Sequence, residues 1–221
     1  MKKLSFPNIS LNTLRQVVPL KQIVDDNRFD AWFGYQPPLD AEETALLTYL
    51  LKKHRPYFSV YKEEELKAKF ITPILNKIDF MVGDVKDWYE RPLKTILNDY
   101  EMGGFTDYMV AKGEDEPELP YFFLQEFKPS VSSTPPESQL LAELITAIHL
   151  NNISEMKGGT VQGQFWKFMI VERTEKQWFY YTSKSFDAAD FNDLCSIYNC
   201  LRFIKNTIVT SELEGTGFLV S

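Results

Sequence analysis

The most strand-like stretch of the chain is Tyr121-Phe122-Phe123-Leu124-Gln125-Glu126-Phe127-Lys128. It is apolar on both faces, as in a central strand that is covered on both sides. Side chains alternate along a strand, so Glu126 and Lys128 lie on the same face at its end. A buried charge without a partner costs several kcal/mol, so both groups need one. A local Glu–Lys pair at a sheet edge is one explanation.

A second acid, Asp107, lies inside the preceding predicted strand, Phe105–Ala111, among apolar residues. If the two strands form a hairpin around the acidic loop 114–118, Asp107 lies beside Glu126 near the end of the sheet. Two adjacent carboxylates repel each other, and a divalent cation would keep both ionised. These residues therefore favour a metal site over a simple ion pair.

Acids also open the helix that precedes the sheet. The periodicity predicts an amphipathic helix from Glu63 to about Ile78, with a kink or break at Pro73. Glu63 shares the apolar face and could complete an oxygen-ligand site, whereas Glu65 should face water. Acids are also common in the first turn of any helix, because they interact well with its dipole.

The helix that follows the Lys128 strand supplies another candidate. It is predicted from about Ser138 to Leu150. Gln139 flanks its apolar face and could reach the site. Glu143, one turn later, is interpreted as a solvated helix charge.

The rest of the pattern predicts one α/β domain of residues 61–221, preceded by a helical extension of residues 1–60. In the extension, Asp40 should cap a helix that ends near Lys53, with Glu43 completing a capping box. Residues 79–91 are poorly patterned. Turns are expected at Gly103-Gly104 and at the acidic loop. The other expected elements are strands Lys94–Tyr100, Val161–Val171 and Gln177–Thr182, a hairpin loop Glu172–Lys176, and a last helix from about Ala188 to Ile208.

Charge and hydropathy narrow the class of protein. The chain has 31 acidic and 24 basic residues and a net charge of −7, which disfavours a broad basic face for nucleic acid but allows a local basic cleft. The best local candidate for phosphate contacts is Lys52-Lys53-His54-Arg55, which equally fits a charged helix end. No apolar run is long enough to cross a bilayer and no apolar stretch follows the basic start, so a cytoplasmic protein without membrane contact is expected.

Few residues are available as nitrogen or sulfur ligands. The chain has two cysteines, Cys195 and Cys200, and two histidines, His54 and His149. Their spacing excludes a disulfide framework and fits no zinc pattern. A bound metal should therefore have oxygen ligands, which points to Mg²⁺ or Mn²⁺. The aromatic run Trp178–Tyr181 could stack on bases, but core packing is the favoured role.

The ordered set of acids resembles the PD-(D/E)XK superfamily of metal-dependent nucleases, restriction-endonuclease-like proteins with an αβββαβ core. The resemblance covers Tyr61–Glu172, about half of the chain, and includes the acid-led helix at Glu63 and the segment Val161–Phe168. Thr106 stands where the family name has proline, a position that varies in the family. The residues that carry the resemblance are Asp107, Glu126-Phe127-Lys128 and Gln139.

The resemblance implies a mechanism and a substrate. Asp107, Glu126 and the backbone carbonyl of Phe127 would hold Mg²⁺, with Glu63 contributing directly or through water. Lys128 would position the attacking water or stabilise the developing charge, and Gln139 would orient a ligand or contact the DNA backbone. The implied substrate is nucleic acid, with DNA favoured, and a homodimer or a partner protein would assist substrate capture.

Two other interpretations fit the same residues. A nuclease-like fold can serve as a non-catalytic nucleic-acid-binding or protein-interaction module, which the acidic net charge favours. An unrelated α/β protein could carry the motif by accident, since each motif alone is weak. The intact Asp, Glu and Lys favour the nuclease.

Overall fold

A mixed sheet of nine strands carries helices on both faces, which makes the protein an α/β fold. The computed structural model describes residues 1–132 and 135–213. The strands are β1 (Lys2–Ser5), β2 (Leu20–Gln22), β3 (Val85–Leu97), β4 (Tyr100–Lys112), β5 (Glu118–Lys128), β6 (Glu155–Gln162), β7 (Phe165–Arg173), β8 (Trp178–Thr182) and β9 (Phe186–Asp187). They follow the order β1-β4-β5-β6-β7-β8-β2, with β3 paired to β4 and β9 to β7.

The helices divide between the two faces of this sheet. They are α1 (Leu11–Val17), α2 (Asp30–Phe33), α3 (Ala41–His54), α4 (Glu63–Leu66), a π-helical segment (Lys67–Ile71), α5 (Thr72–Ile78), α6 (Pro136–Asn151) and α7 (Phe191–Leu213). The described part of the chain contains no helix with the length and apolar character that crossing a membrane requires.

The central elements occur in the order α-β-β-β-α-β, from α4 to β6. β3, β4 and β5 pair antiparallel in sequence order, and β6 then pairs parallel with β5. The parallel pair needs a crossover, and α6 supplies it across one face of the sheet. The sheet separates two hydrophobic cores, one of which packs on α6 and the other on α3, α5 and α7.

Several predicted elements are confirmed. β5 contains the predicted strand Tyr121–Phe127, and α6 contains the predicted helix from Ser138. Asp40 caps α3 through the expected capping box with Glu43. The aromatic core is confirmed as well, since Trp166, Phe168 and Trp178 are buried.

The predicted turn at Gly103-Gly104 is wrong, because both glycines lie inside β4. The hairpin between β3 and β4 turns instead at Asn98 and Asp99, which both have positive φ angles of 48° and 65°. Gly104 serves packing, since a Cβ there would lie 2.9 Å from the ring of Phe6. Longer strands follow from the relocated turn, and β3 takes in much of the unpatterned stretch 79–91.

Two more sequence predictions need correction. The predicted strand Val161–Val171 is two strands, β6 and β7, joined by a turn at Gly163 with φ of 59°. The first sixty residues are not purely helical, because β1 pairs parallel with β4 and β2 pairs parallel with β8. These strands are only four and three residues long, too short for a period of two to be recognised.

The helix predicted from Glu63 to Ile78 is continuous but not regular. Its middle, Lys67–Ile71, is π-helical and precedes Pro73, which occupies the first turn of α5. The wider π turn shifts the helical register just before Pro73, which cannot donate a backbone hydrogen bond. Lys67, the first residue of this segment, has a buried side chain.

Candidate active site

The candidate site lies where the edge of β4 changes partner. β3 pairs with β4 along one edge of that strand. Along the other edge of β4, β1 and β5 pair one after the other with successive stretches of the strand. β1 covers residues 100–103 and β5 covers residues 108–112, which leaves Asp107 at the junction. A break in the backbone ladder at this point leaves room for side chains to replace backbone contacts.

Asp107 and Glu126 meet at this junction, as the sequence predicted. The pairing of Tyr108 with Gln125 places Asp107 opposite Glu126 in the next step of the ladder. Asp107 Oδ2 accepts a hydrogen bond from the backbone N–H of Phe127 at 2.7 Å. This bond fixes the Asp107 carboxylate beside the Glu126 side chain.

Glu126 is fully buried. Burial, followed by the nearby charge of Asp107, raises the pKa of its carboxyl from 4.5 to about 8. One of its oxygens, Oε2, is buried without a hydrogen-bond partner among the described residues. Lys128 acts in the opposite direction, so a proton and a cation compete for this carboxyl near neutral pH.

Lys128 shares the face of Glu126, and its ammonium group forms an ion pair with Glu126 Oε1. Burial acts to lower the pKa of this ammonium, but the charges of Glu126 and Asp107 outweigh burial and raise it. Lys128 is therefore a cation at neutral pH. Its side chain is 17% exposed, so the ammonium lies at the boundary between the core and solvent.

Glu63 approaches the same centre from the other face of the sheet. It is half-buried, and burial together with the charge of Asp107 raises the pKa of its carboxyl. Lys128 and Lys67 act in the opposite direction. Of the three acids that open the helix, Glu63 thus lies nearest the site, whereas Glu65 bonds Lys69 on the exposed surface.

Lys67 is a site residue that the sequence analysis missed. It is buried beneath Glu63, and its ammonium lies 2.8 Å from Glu64 and 3.4 Å from Glu90. The hydrogen bond to Glu64, followed by the charge of Asp107, raises the pKa of the Lys67 ammonium against the effect of burial. Lys67 lies four residues after Glu63, so the ordinary helical period already places it on the face of Glu63, and that spacing is the signal that could have found it.

The backbone is also irregular on the other side of Asp107. Glu90 has a φ of 51° and lies opposite Asp107, where the pairing of β3 with β4 is interrupted without a change of register between Tyr89–Tyr108 and Arg91–Thr106. A non-glycine residue in this conformation costs on the order of 1–3 kcal/mol, and such strain collects at functional sites. The bond from Lys67 Nζ to Glu90 ties this residue to the helix.

Gln139 and Glu143 form a pair on α6. Gln139 Nε2 donates to Glu143 Oε1 at 3.2 Å, and both side chains are buried. The interpretation of Glu143 as a solvated charge is wrong, because this residue has no exposed surface. Burial, and then the charge of Glu126, raises the pKa of Glu143 well above its usual value. Burial thus favours its uncharged form, and its hydrogen bond fixes the Gln139 amide.

The donor set suits a hard cation, since Asp107, Glu126 and Glu63 offer carboxylate oxygens. The partnerless oxygen of buried Glu126 is the atom that such an ion would satisfy. In the described ranges, no cluster of three or more His, Cys, Asp or Glu side chains is arranged to hold a metal ion. Two carboxylates would therefore need ligands of another kind, such as a backbone carbonyl or water.

The cysteines and histidines take no part in this site. Cys195 and Cys200 are free thiols on α7, and His54 bonds the hydroxyl of Tyr61 through Nδ1 at 2.8 Å.

A comparison with protein-family models and a comparison with curated protein sequences found no match to this chain.

Proposed function

We propose that this chain is a metal-dependent nuclease that hydrolyses phosphodiester bonds in DNA. The observation that carries the proposal is the meeting of Asp107, Glu126 and Lys128 at one end of the sheet, with a buried Glu126 oxygen that accepts no hydrogen bond from the residues the structure describes. The order of the core elements and the approach of Glu63 support the resemblance to the PD-(D/E)XK nucleases.

Asp107 and Glu126 would hold the ion, with the backbone carbonyl of Phe127 as a further ligand and Glu63 acting directly or through water. Mg²⁺ is the expected ion, and Mn²⁺ suits the same oxygens. When bound, it would polarise the scissile phosphate and lower the pKa of the attacking water. The bond between Phe127 N–H and Asp107 holds the carboxylate in place before any ion binds.

Lys128 and Gln139 would act on the substrate. The Lys128 ammonium contacts Glu126, so it lies within reach of a water or phosphate oxygen that approaches this carboxylate. As a cation it would position the attacking water or stabilise the negative charge that develops on the phosphate. Gln139, fixed by Glu143, would orient a ligand or contact the DNA backbone.

The proton on Glu126 gives the reaction a pH dependence. Binding a cation requires the ionised carboxylate, and burial raises the pKa of this group to about 8. Below that pH, protons compete with the ion. Cleavage at a subsaturating Mg²⁺ concentration should therefore become faster as the pH rises towards 8.

The test is cleavage of linear and circular DNA in Mg²⁺ by the wild-type chain and by two variants, Asp107→Asn and Lys128→Met. We expect each variant to lose at least about 100-fold in rate, the size typical of losing one charge-stabilising group. Glu101→Gln is a matched control, because Glu101 lies on β4 with Asp107 but bonds the surface residue Lys94. Equal rates for Asp107→Asn and the wild type would refute the proposal.

A non-catalytic binding module is the second candidate. The observation that favours it is the ion pair between Lys128 and Glu126, which satisfies the lysine within the protein itself. Binding of DNA without cleavage in either Mg²⁺ or Mn²⁺ would support this candidate. Involvement of a homodimer or partner protein in substrate capture, and a cytoplasmic location, remain predictions from the sequence.

A further inference from the structure

A cavity of about 460 Å³ opens beside the candidate active site, between the end of α3 and the start of α4. Its walls are formed by tyrosine, lysine and histidine side chains. The residues that matter to its chemistry are Lys53, His54, Tyr57, Tyr61, Glu65 and Lys69. None of them belongs to the predicted catalytic set.

The cavity lies near the catalytic residues along the chain. Tyr61 precedes Glu63 by two residues, so their Cα atoms are separated by at most about 7 Å. On the other side, Ser130 Oγ donates to the backbone carbonyl of Phe58 at 2.7 Å, and Ser130 follows Lys128 by two residues.

The cavity presents an aromatic pair with one fixed ring and one accessible ring. The rings of Tyr57 and Tyr61 are stacked, with centroids 5.9 Å apart and planes at 28°. Tyr61 is fixed by its hydrogen bond to buried His54, whereas Tyr57 is 52% exposed. An accessible tyrosine held against a rigid second ring is a platform on which a flat group can stack.

The cations around the platform suit an anionic ligand. Lys69 lies 4.9 Å from the centre of the Tyr61 ring and pairs with Glu65, the acid that lines the cavity. Lys53 lines the opposite side, and the exposed Lys52 and Arg55 extend the positive charge along the end of α3. This patch is cationic in a chain whose net charge is −7.

We infer that the cavity binds an unpaired nucleotide of a single-stranded nucleic acid, with its base stacked on Tyr57 and its phosphates near Lys53 and Lys69. This inference rests on the proposed nuclease function. In a duplex the face of each base is already covered by its neighbours, so a tyrosine platform selects bases that have left the stack. The lysines alone would bind single and double strands alike.

The test measures binding in EDTA, where cleavage cannot occur, by the fluorescence anisotropy of a labelled twelve-residue oligothymidylate and a labelled duplex hairpin. Three variants of Tyr57 separate stacking from simple apolar contact. Tyr57→Ala and Tyr57→Leu should weaken binding of the single strand by about 5- to 100-fold, as loss of one aromatic stack does. Tyr57→Phe keeps the ring and should stay within about twofold of the wild type.

Binding of the duplex should not change in any of the three variants. Equal single-strand affinity for the wild type, Tyr57→Ala and Tyr57→Leu would overturn the inference, and so would an equal loss for duplex and single strand. If DNA is cleaved in an Asp107-dependent way but Tyr57 has no effect on binding, the cavity assignment alone fails. If nothing is cleaved, the proposed function fails whatever Tyr57 does.

Discussion

Replacing Glu126 by glutamine should make the metal-free protein more stable at neutral and alkaline pH. Glutamine has nearly the shape of the protonated side chain and cannot ionise. The pKa of the Glu126 carboxyl rises from 4.5 to about 8 on folding, because burial and Asp107 disfavour its charged form. The folded wild type therefore binds a proton that the unfolded chain releases, and it loses stability as the pH rises from 4.5 towards 8.

The size of the effect follows from the same shift in pKa. If burial acted on a rigid site, the change from 4.5 to about 8 would correspond to about 4–5 kcal/mol. Local relaxation and water penetration reduce this value, so we expect Glu126→Gln to gain about 2 kcal/mol at pH 8. At pH 4, where both states carry the proton, the two proteins should differ by less than about 1 kcal/mol.

Urea denaturation in EDTA at pH 4, 6 and 8 measures this difference directly. Glu101→Gln is the control, because Lys94 lowers the pKa of Glu101, the opposite of the shift at Glu126. The reasoning is refuted if the stability gain of Glu126→Gln is the same at pH 4 and pH 8. A loss of stability at pH 8 would show that Glu126 is an ionised partner of Lys128 instead.

Three further changes test other parts of the site. Glu143→Gln should keep the free energy of unfolding at pH 7 within about 1 kcal/mol of the wild type, whereas Glu143→Ala should lose about 2–4 kcal/mol by leaving a cavity and an unpaired Gln139 amide. Equal losses for the two variants in urea denaturation would contradict a neutral Glu143. Lys67→Met should cost about 2–4 kcal/mol in urea denaturation and should weaken Mn²⁺ binding, because Glu63 loses its buried counter-charge. Lys67→Arg should restore much of the stability and of the Mn²⁺ affinity, and no loss in Lys67→Met would show that Lys67 is not part of the site. Gly163→Ala should lower the free energy of unfolding by about 2 kcal/mol, since the φ of Gly163 is 59° and a Cβ there would lie 2.1 Å from Ser130 Oγ. An unchanged melting temperature in thermal unfolding would contradict this prediction.

The sequence was informative wherever one local rule decided the outcome. The apolar run before Glu126 predicted β5, and period-two alternation placed Glu126 and Lys128 on one face. The position of Asp107 followed once the two strands were expected to form a hairpin. Each of these steps needed only near neighbours along the chain and the pairing of adjacent strands.

The errors arose where distant contacts decided the structure. Two adjacent glycines predict a turn, but Gly104 lies in a strand. Phe6, from a distant part of the chain, occupies the space that a side chain at Gly104 would fill. Glu143 looked like a surface charge because its burial depends on the β5 side chains that α6 covers. Lys67 lies one turn after Glu63 on the same face of the helix, but its contact with Glu90 depends on the packing of β3 against that helix.

A crystal structure of the protein soaked in Mn²⁺ would test the central claim most directly, through the anomalous signal of the metal. We predict one peak at the junction of β4 and β5, with oxygens of Asp107 and Glu126 both about 2.1 Å from the ion. The peak should be absent in Glu126→Gln and present in Glu101→Gln. A map without a peak there, with Lys128 still bonded to Glu126, would contradict the assignment of a metal-dependent active site.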